Sequence, residues 1–265
     1  MSAVWLNSVG VVGPGLDGWA QAARILSGQA PFAYRPLEPI EPELLPANER
    51  RRTTPTIRLA MHVAHEAVGR DVASERSGLH SVFASAEGDT EIAAKICQAL
   101  ALPGRPVSPT QFHNSVHNAP AGYWAIATGW RSPYTSLAAG DATFSAALLE
   151  AFSTVVSDKV PVLLVAYDLP APEPLTAAAP VTEAFALALT LAPDHSHAAL
   201  GQLELSLSAG NPTVCLNHDL ERLRRGNPIA SALPLLEVVA MSQDREITLT
   251  GTGMDAVRVG FTPTA

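Results

Sequence analysis

The sequence predicts an α/β fold: a mixed sheet packed by helices over residues 1–170, completed within the same domain by a shortened, strand-rich part over 171–265. Three observations carry this. Strand-like and helix-like segments alternate through the first two thirds, the pattern of βαβ units. "VPVLLVAYDLP" (160–170) is a continuous apolar run, as a central strand buried on both faces requires. Hydrophobic residues make up 47% of the 265 and charged residues 16%, enough apolar material for a large core.

The elements follow in order. "AVWLNSVGVV" (3–12) is Val-rich and bounded by the turn "GPGLDG", so it is a strand. Asp17 stands before "GWAQAARILSG", a helix it is placed to cap, which Gly28 closes. The Pro-dense stretch 30–52 reads as an irregular surface loop. "PTIRLAMHVAHEAV" (55–68) has helical spacing with Pro in its first turn. "HSVFASA" (80–86) is a strand, and 88–102 is a helix whose early acids suit its dipole. "PGRPVSPTQFHNSVHN" reads as a loop, and "APAGYWAIATG" (119–129) as a small-residue helix able to pack closely. A Pro- and Ala-rich break (169–181) precedes apolar runs at 183–191 and 199–207. A short basic helix around 221–225, "REITLTGTG" and "AVRVGF" complete the chain. "GTG" (251–253) is read as a turn.

The segment "SPYTSLAAGDATFSAALLEAF" (132–152) poses the functional question. It reads as a short extended run, a tight small-residue corner and a helix apolar on nearly every side, hence buried. The corner residue is Asp141. It can cap the helix, whose open amides also suit an anion, and the two readings are compatible. A helix N-terminus lowers a carboxyl pKa, which argues against Asp141 as a general acid or nucleophile.

Other chemistry is sparse. A net charge of −8 excludes a general nucleic-acid binder. Cys97 and Cys215 are far apart and outside any CxxC, which reads as two buried or half-buried thiols in a reducing compartment, with neither disulfide nor zinc implied. His62 and His65 (i,i+3) read as partly buried side chains. His113 and His117 (i,i+4) sit in a segment suited to a polar site or an interface, and no third ligand is spaced to complete a metal site. The arginines at 50–52 and at 222, 224 and 225 form a solvated face or a guide for an acidic partner. A basic region followed by a long apolar run is missing at the N-terminus, and no stretch suits a bilayer. A soluble cytoplasmic protein, without membrane or cofactor, is expected.

Taken together, "VGVVGPGLDGWAQAARILSGQAPF", "SPTQFHNSVHNAPAGYWAIATG" and "RSPYTSLAAGDATFSAALLEAF" resemble the N-terminal half of the β-ketoacyl synthases, in this order and spacing over about 3–170. The resemblance implies a layered thiolase-like fold. It places Asp141 where the family carries its cysteine nucleophile. The family's two C-terminal histidine phrases have no counterpart, and the chain is too short for the half that bears them. Decarboxylative condensation needs a thiolate and donors for the enolate. The resemblance therefore implies a subunit that is not an enzyme on its own. It is most similar to the truncated chain-length-factor-like subunits of type II systems that make aryl polyene pigments. Such a subunit pairs with an active ketosynthase and shapes its acyl tunnel.

On that reading the partner interface comprises Phe112, His113, Asn114, His117 and Asn118, with Tyr134, Thr135, Ser136 and Leu137. An acyl carrier protein engages mainly the partner, with Arg50, Arg51 and Arg52 a further contact. The alternative is a stand-alone acyl-thioester hydrolase or acyltransferase using Asp141 with His113 or His117. If the 142–156 helix is buried, the C-terminal part or a partner must cover it.

Overall fold

The computed structural model describes residues 2–41, 44–69, 79–179, 181–251 and 255–264. Its strands are β1 (Ala3–Gly13), β2 (Leu16–Asp17), β3 (His80–Ala84), β4 (Tyr134–Leu137), β5 (Val162–Asp168), β6 (Phe185–Ala192), β7 (Gly201–Ser208), β8 (Arg245–Thr250) and β9 (Ala256–Pro263). Its helices are α1 (Trp19–Leu26), α2 (Ala47–Arg50), α3 (Pro55–Val68), α4 (Thr90–Ala101), α5 (Pro109–Asn114), α6 (Ala119–Thr128), α7 (Thr143–Asp158), α8 (His218–Gly226) and α9 (Leu233–Ala240).

One mixed sheet runs β4-β3-β5-β6-β1-β7-β9-β8, with β2 folded back on β1. β3 is parallel to both β4 and β5; the remaining pairs are antiparallel. Alternation along β5 explains its unbroken apolar sequence. Leu163, Val165 and Tyr167 face a layer built on α3 and α6, while Val162, Leu164 and Ala166 face α7 and the C-terminal helices. α3 lies so close to β1 that a Cβ on Gly10 would stand 2.3 Å from the Val63 carbonyl oxygen. Only glycine fits there.

α7 is buried along most of its length, as its composition requires. The C-terminal part does the covering. Phe144, Ala147, Leu148 and Ala151 join one core with Ile229–Leu236, Val238, Ile247, Leu249 and Val257. Ser145 Oγ also donates to the Thr250 carbonyl.

Several expectations change. Asp17 does not cap α1; Gly18 precedes it with no side-chain cap of its own. The Glu66 carboxylate, reaching across from α3, accepts the Trp19 N–H with Oε1 and the Val11 N–H, at 2.9 Å, with Oε2. One side chain thus caps α1 and holds it to β1. Glu66→Ala leaves two amides unpaired, and about 2–4 kcal/mol of stability should be lost. Denaturant titration measures it, and Asp17→Ala should shift the midpoint far less.

The stretch 103–118 is not all loop. Ser108 accepts the Gln111 N–H and Pro109 opens α5, a cap-and-proline start. Among its described residues, the 30–52 loop contains the single helical turn α2. α9 and the 3-10 turn before it, Ile229–Ala232, form an apolar helical segment that the reading of the last third as strand-rich leaves out. Cys215 is buried, but Cys97 is exposed on α4. In the "GTG" turn, residues 252 and 253 lie outside the described residues.

Candidate functional site

β4 is an edge strand, and it leads into the corner through Ala138 and Ala139. The Ser81 N–H donates to the Pro133 carbonyl and the Ser85 N–H to the Leu137 carbonyl, so 133, 135 and 137 turn their backbone toward β3. By alternation, the N–H and C=O groups of Tyr134 and Ser136 point to the open side. Tyr134 and Thr135 are exposed, and Ser136 and Leu137 are half-buried. The Ser136 hydroxyl is buried without a hydrogen-bond partner.

Gly140, at φ +54°, makes the turn, and a 3-10 turn over Gly140–Ala142 leads into α7. Asp141 is exposed and does not cap the helix. The extra turn carries its side chain outward, and Thr143 does the local work. Thr143 Oγ1 accepts the Ala139 N–H at 2.9 Å and donates to the Gly140 carbonyl at 2.7 Å.

Of the residues expected at an interface, Phe112, His113 and Asn118 are exposed, and His117 is half-buried. His117 Nε2 lies 2.9 Å from the Leu137 carbonyl oxygen, and Asn118 Nδ2 donates to the Tyr134 hydroxyl at 3.4 Å. The α5–α6 segment is thereby tied to the end of β4. Asn114 is a correction, being 3% exposed. It donates to the Arg52 carbonyl at 2.7 Å and accepts the Tyr123 hydroxyl at 3.2 Å, so its amide is spent inside the chain. The same contact brings the 50–52 arginines beside this face. Arg51 and Arg52 are exposed and Arg50 is half-buried.

Around the β4 edge and the neighbouring helices stand four large exposed side chains: Phe112 at 66%, Val116 at 49%, Ile126 at 55% and Tyr134 at 43%. α6 packs through Ala121 and Trp124 and turns Ile126 outward.

Beneath this face is a buried anchor that the sequence reading missed. Asp168, fully buried at the end of β5, accepts the Ser85 hydroxyl at 2.6 Å, the Ala86 N–H at 3.0 Å and the Glu87 N–H at 3.1 Å. Burial raises its pKa to about 6, against three hydrogen bonds that favour the carboxylate. The Ser85 oxygen in turn accepts the Gly88 N–H at 2.7 Å. Gly88 lies against His117, whose Nδ1 would be 3.5 Å from a Cβ added there. Asp168 thus fixes a turn on which His117 leans, and His117 meets the end of β4. The signal available was an acid closing an otherwise apolar strand, "VLLVAYD".

No hydrogen bond joins Asp141 to His113 or His117 among the described residues, and one nitrogen of His117 already faces a backbone carbonyl. Arg224 and Arg225 both pair with Glu221, at 2.7 and 2.8 Å, so one carboxylate offsets part of that second cluster's charge. Among the described residues there is no group of three potential metal ligands, and no helix is long and apolar enough to cross a membrane.

Comparison with known proteins gives a consistent result. A ketosynthase (ApeO) in complex with its chain length factor (ApeC) from Xenorhabdus doucetiae superposes at TM-score 0.73 and 21% identity, over 98% of this chain and 100% of the matched one. The ishigamide ketosynthase/chain length factor gives 0.72 at 13% identity, over 100% of both chains. A type II polyketide synthase acyl-carrier protein in complex with its ketosynthase bound to the hexaketide (AntDE:AntF) gives 0.78 at 12%, over 99% of both. The search of curated proteins finds no match. These likenesses establish the thiolase-like ketosynthase fold. The family model for the β-ketoacyl synthase N-terminal domain matches residues 19–250, most of the chain, and the protein belongs to that family.

Proposed function

We propose that this chain is the non-catalytic, chain-length-factor-like member of a ketosynthase pair, and that it shapes the acyl tunnel of its partner in polyketide synthesis of the aryl polyene type. One observation carries the reading: at the corner where the family resemblance puts a cysteine stands an exposed Asp141 that bonds to neither His113 nor His117 among the described residues, next to an open strand edge rimmed by apolar side chains. A carboxylate at this position cannot form the acyl thioester on which condensation depends. An open edge with exposed Phe112, Val116, Ile126 and Tyr134 is what a chain presents when a second chain normally covers it. The similarity to chains from ketosynthase and chain length factor complexes supports the same reading, as does the coverage of those chains over their full length.

In this proposal β4, Phe112, His113, His117 and Asn118 meet an active ketosynthase. An acyl carrier protein docks mainly on that partner, with Arg51 and Arg52 as a subsidiary contact, and the pair works in the cytoplasm. Residues 1–170 act as the ketosynthase-like half and 171–265 as a reduced complement to it.

The test is co-expression with a cysteine-bearing ketosynthase from the same source. A stable 1:1 complex is expected, with condensation that requires both chains. Asp141→Ala should leave the rate of the pair within about twofold and stability within about 0.5 kcal/mol, as for an exposed side chain away from structural features. If the isolated chain hydrolyses acyl thioesters and Asp141→Ala abolishes this, the chain is an enzyme in its own right.

A further inference from the structure

A cavity of about 860 Å³ opens remote in sequence from the β4 face, between the β1–β2 hairpin, α1, α3 and the Pro-rich segment 31–41 that runs over it as a strap. Phe32, Leu37 and Ile40 pack the strap onto the core, and a few polar ties fasten it. The Gly15 N–H donates to the Arg35 carbonyl at 2.9 Å, Tyr34 donates to Glu183 at 3.0 Å, and Arg58 pairs with Glu41 at 2.8 Å. Between these ties the cavity has the size of a small-molecule site, with apolar side chains below and a few polar groups converging.

The charges around it are unbalanced. Of its four carboxylates, Glu41 is matched by Arg58, whereas Asp17, Glu38 and Glu66 form no ion pair among the described residues. Against these three the wall offers one guanidinium, Arg35, and two imidazoles, His62 and His65, of which His62 interacts electrostatically with Glu66. Glu66 is set deepest. Each of its oxygens accepts one backbone N–H and retains a lone pair. That leaves a half-buried acceptor whose orientation is fixed by two elements of the fold, in a cavity whose accessible apolar surface comes from the half-buried Leu37, Ile40 and Leu44.

We propose that this cavity binds a small amphipathic organic cation, its apolar body on Leu37, Ile40 and Leu44 and its ammonium head against Glu66, Asp17 and Glu38. An anion would meet excess negative charge there, and a neutral polar molecule would forgo the ion pair. A charge pair held against low-dielectric walls is worth more than the same pair on an open surface.

The experiment uses the full-length chain and three probes of one shape: 2-phenylethylammonium, 3-phenylpropionate and 2-phenylethanol. Binding is read by isothermal titration calorimetry and by amide shifts in two-dimensional NMR. The ammonium probe should bind and shift amides of Val12–Gly18, with roughly five- to tenfold preference over the alcohol and no detectable binding of the carboxylate. Asp17→Asn combined with Glu38→Gln changes two exposed side chains that make no hydrogen bond or ion pair among the described residues. It should weaken the ammonium probe by a similar factor while leaving the thermal midpoint in place. Glu66→Gln should weaken it further, but this variant also disturbs the α1 cap, so the double variant decides. Equal binding of all three probes, binding unaffected by the double variant, amide shifts confined to other regions, or no binding at millimolar concentration would each overturn the proposal.

Discussion

If the chain pairs through β4 as proposed, Ser136→Pro should separate it from the partner ketosynthase while leaving the chain folded. Proline is costly in a strand only where it removes a bond within the ladder. The backbone of 133, 135 and 137 serves β3, so the Ser136 N–H is free of that ladder and available to a strand added on the open side. Strand addition draws affinity from such main-chain bonds and specificity from the flanking side chains. Removing a central donor and crowding the approach should weaken the complex at least about a hundredfold, on the order of 3 kcal/mol. Size-exclusion chromatography of the co-expressed pair reads the loss, and the thermal midpoint of the variant alone confirms that it folds. Leu207→Asp is the control: Leu207 is 68% exposed on β7, three strands from β5 and far along the sheet from β4, and a charge there should leave the pair intact. A complex that survives Ser136→Pro would move the interface elsewhere.

The second large effect lies under the same face. Asp168→Ala strips the acceptor from the Ser85 hydroxyl and from two backbone amides in a fully buried position. Orphaned donors of this kind cost about 1–3 kcal/mol each, so a loss of on the order of 3 kcal/mol or more is expected, seen as a lower denaturant midpoint. The turn at Ser85–Gly88 should loosen with it, and the support for His117 and the end of β4 should weaken, so the pair should dissociate more readily as well. The pH dependence has a definite sign. The folded-state pKa of Asp168, about 6, lies above the ordinary aspartate value. Between roughly pH 4 and 6 the folded chain therefore holds more of this proton than the unfolded chain does. Its contribution to stability falls as pH rises through that window and is constant above it. Comparing the pH profiles of wild type and Asp168→Asn isolates this arm; identical profiles would mean that Asp168 is not the titrating group.

The parts of the fold legible in the sequence are those set by short-range pattern. The continuous run of β5, the helical spacing of α3 and the apolar α7 each report burial directly. The resemblance supplied the thiolase-like fold. What stayed hidden depends on residues distant in sequence or on one turn of backbone. Asp17 is a reasonable cap by position, but Glu66 reaches the α1 amides only because α3 crosses β1 at Gly10. Asp141 has the residue type and position of a cap, yet a 3-10 turn intervenes, α7 has no side-chain cap among the described residues, and Thr143 instead ties the corner at Ala139 and Gly140. Asn114 looks like a surface amide in a polar stretch, and its burial follows from Tyr123 and the Arg52 carbonyl closing on it. α5 was readable from Ser108 and Pro109, but Gly104, Pro106 and the surrounding polar residues masked a helix of under two turns.

The place of β1 bears on how the chain reaches this state. β1 pairs with β6, Trp5 opposite Ala192, and with β7, Ala3 opposite Glu204. β1 is therefore an interior strand whose two long neighbours come late in the sequence, after β5. Until β6 and β7 have been made, this Val-rich segment has only the two-residue β2 to pair with. Such distant pairing slows folding and lengthens the exposure of sticky edges. This chain should depend on chaperones during synthesis and refold slowly from denaturant, and β1 should be the segment from which aggregation starts.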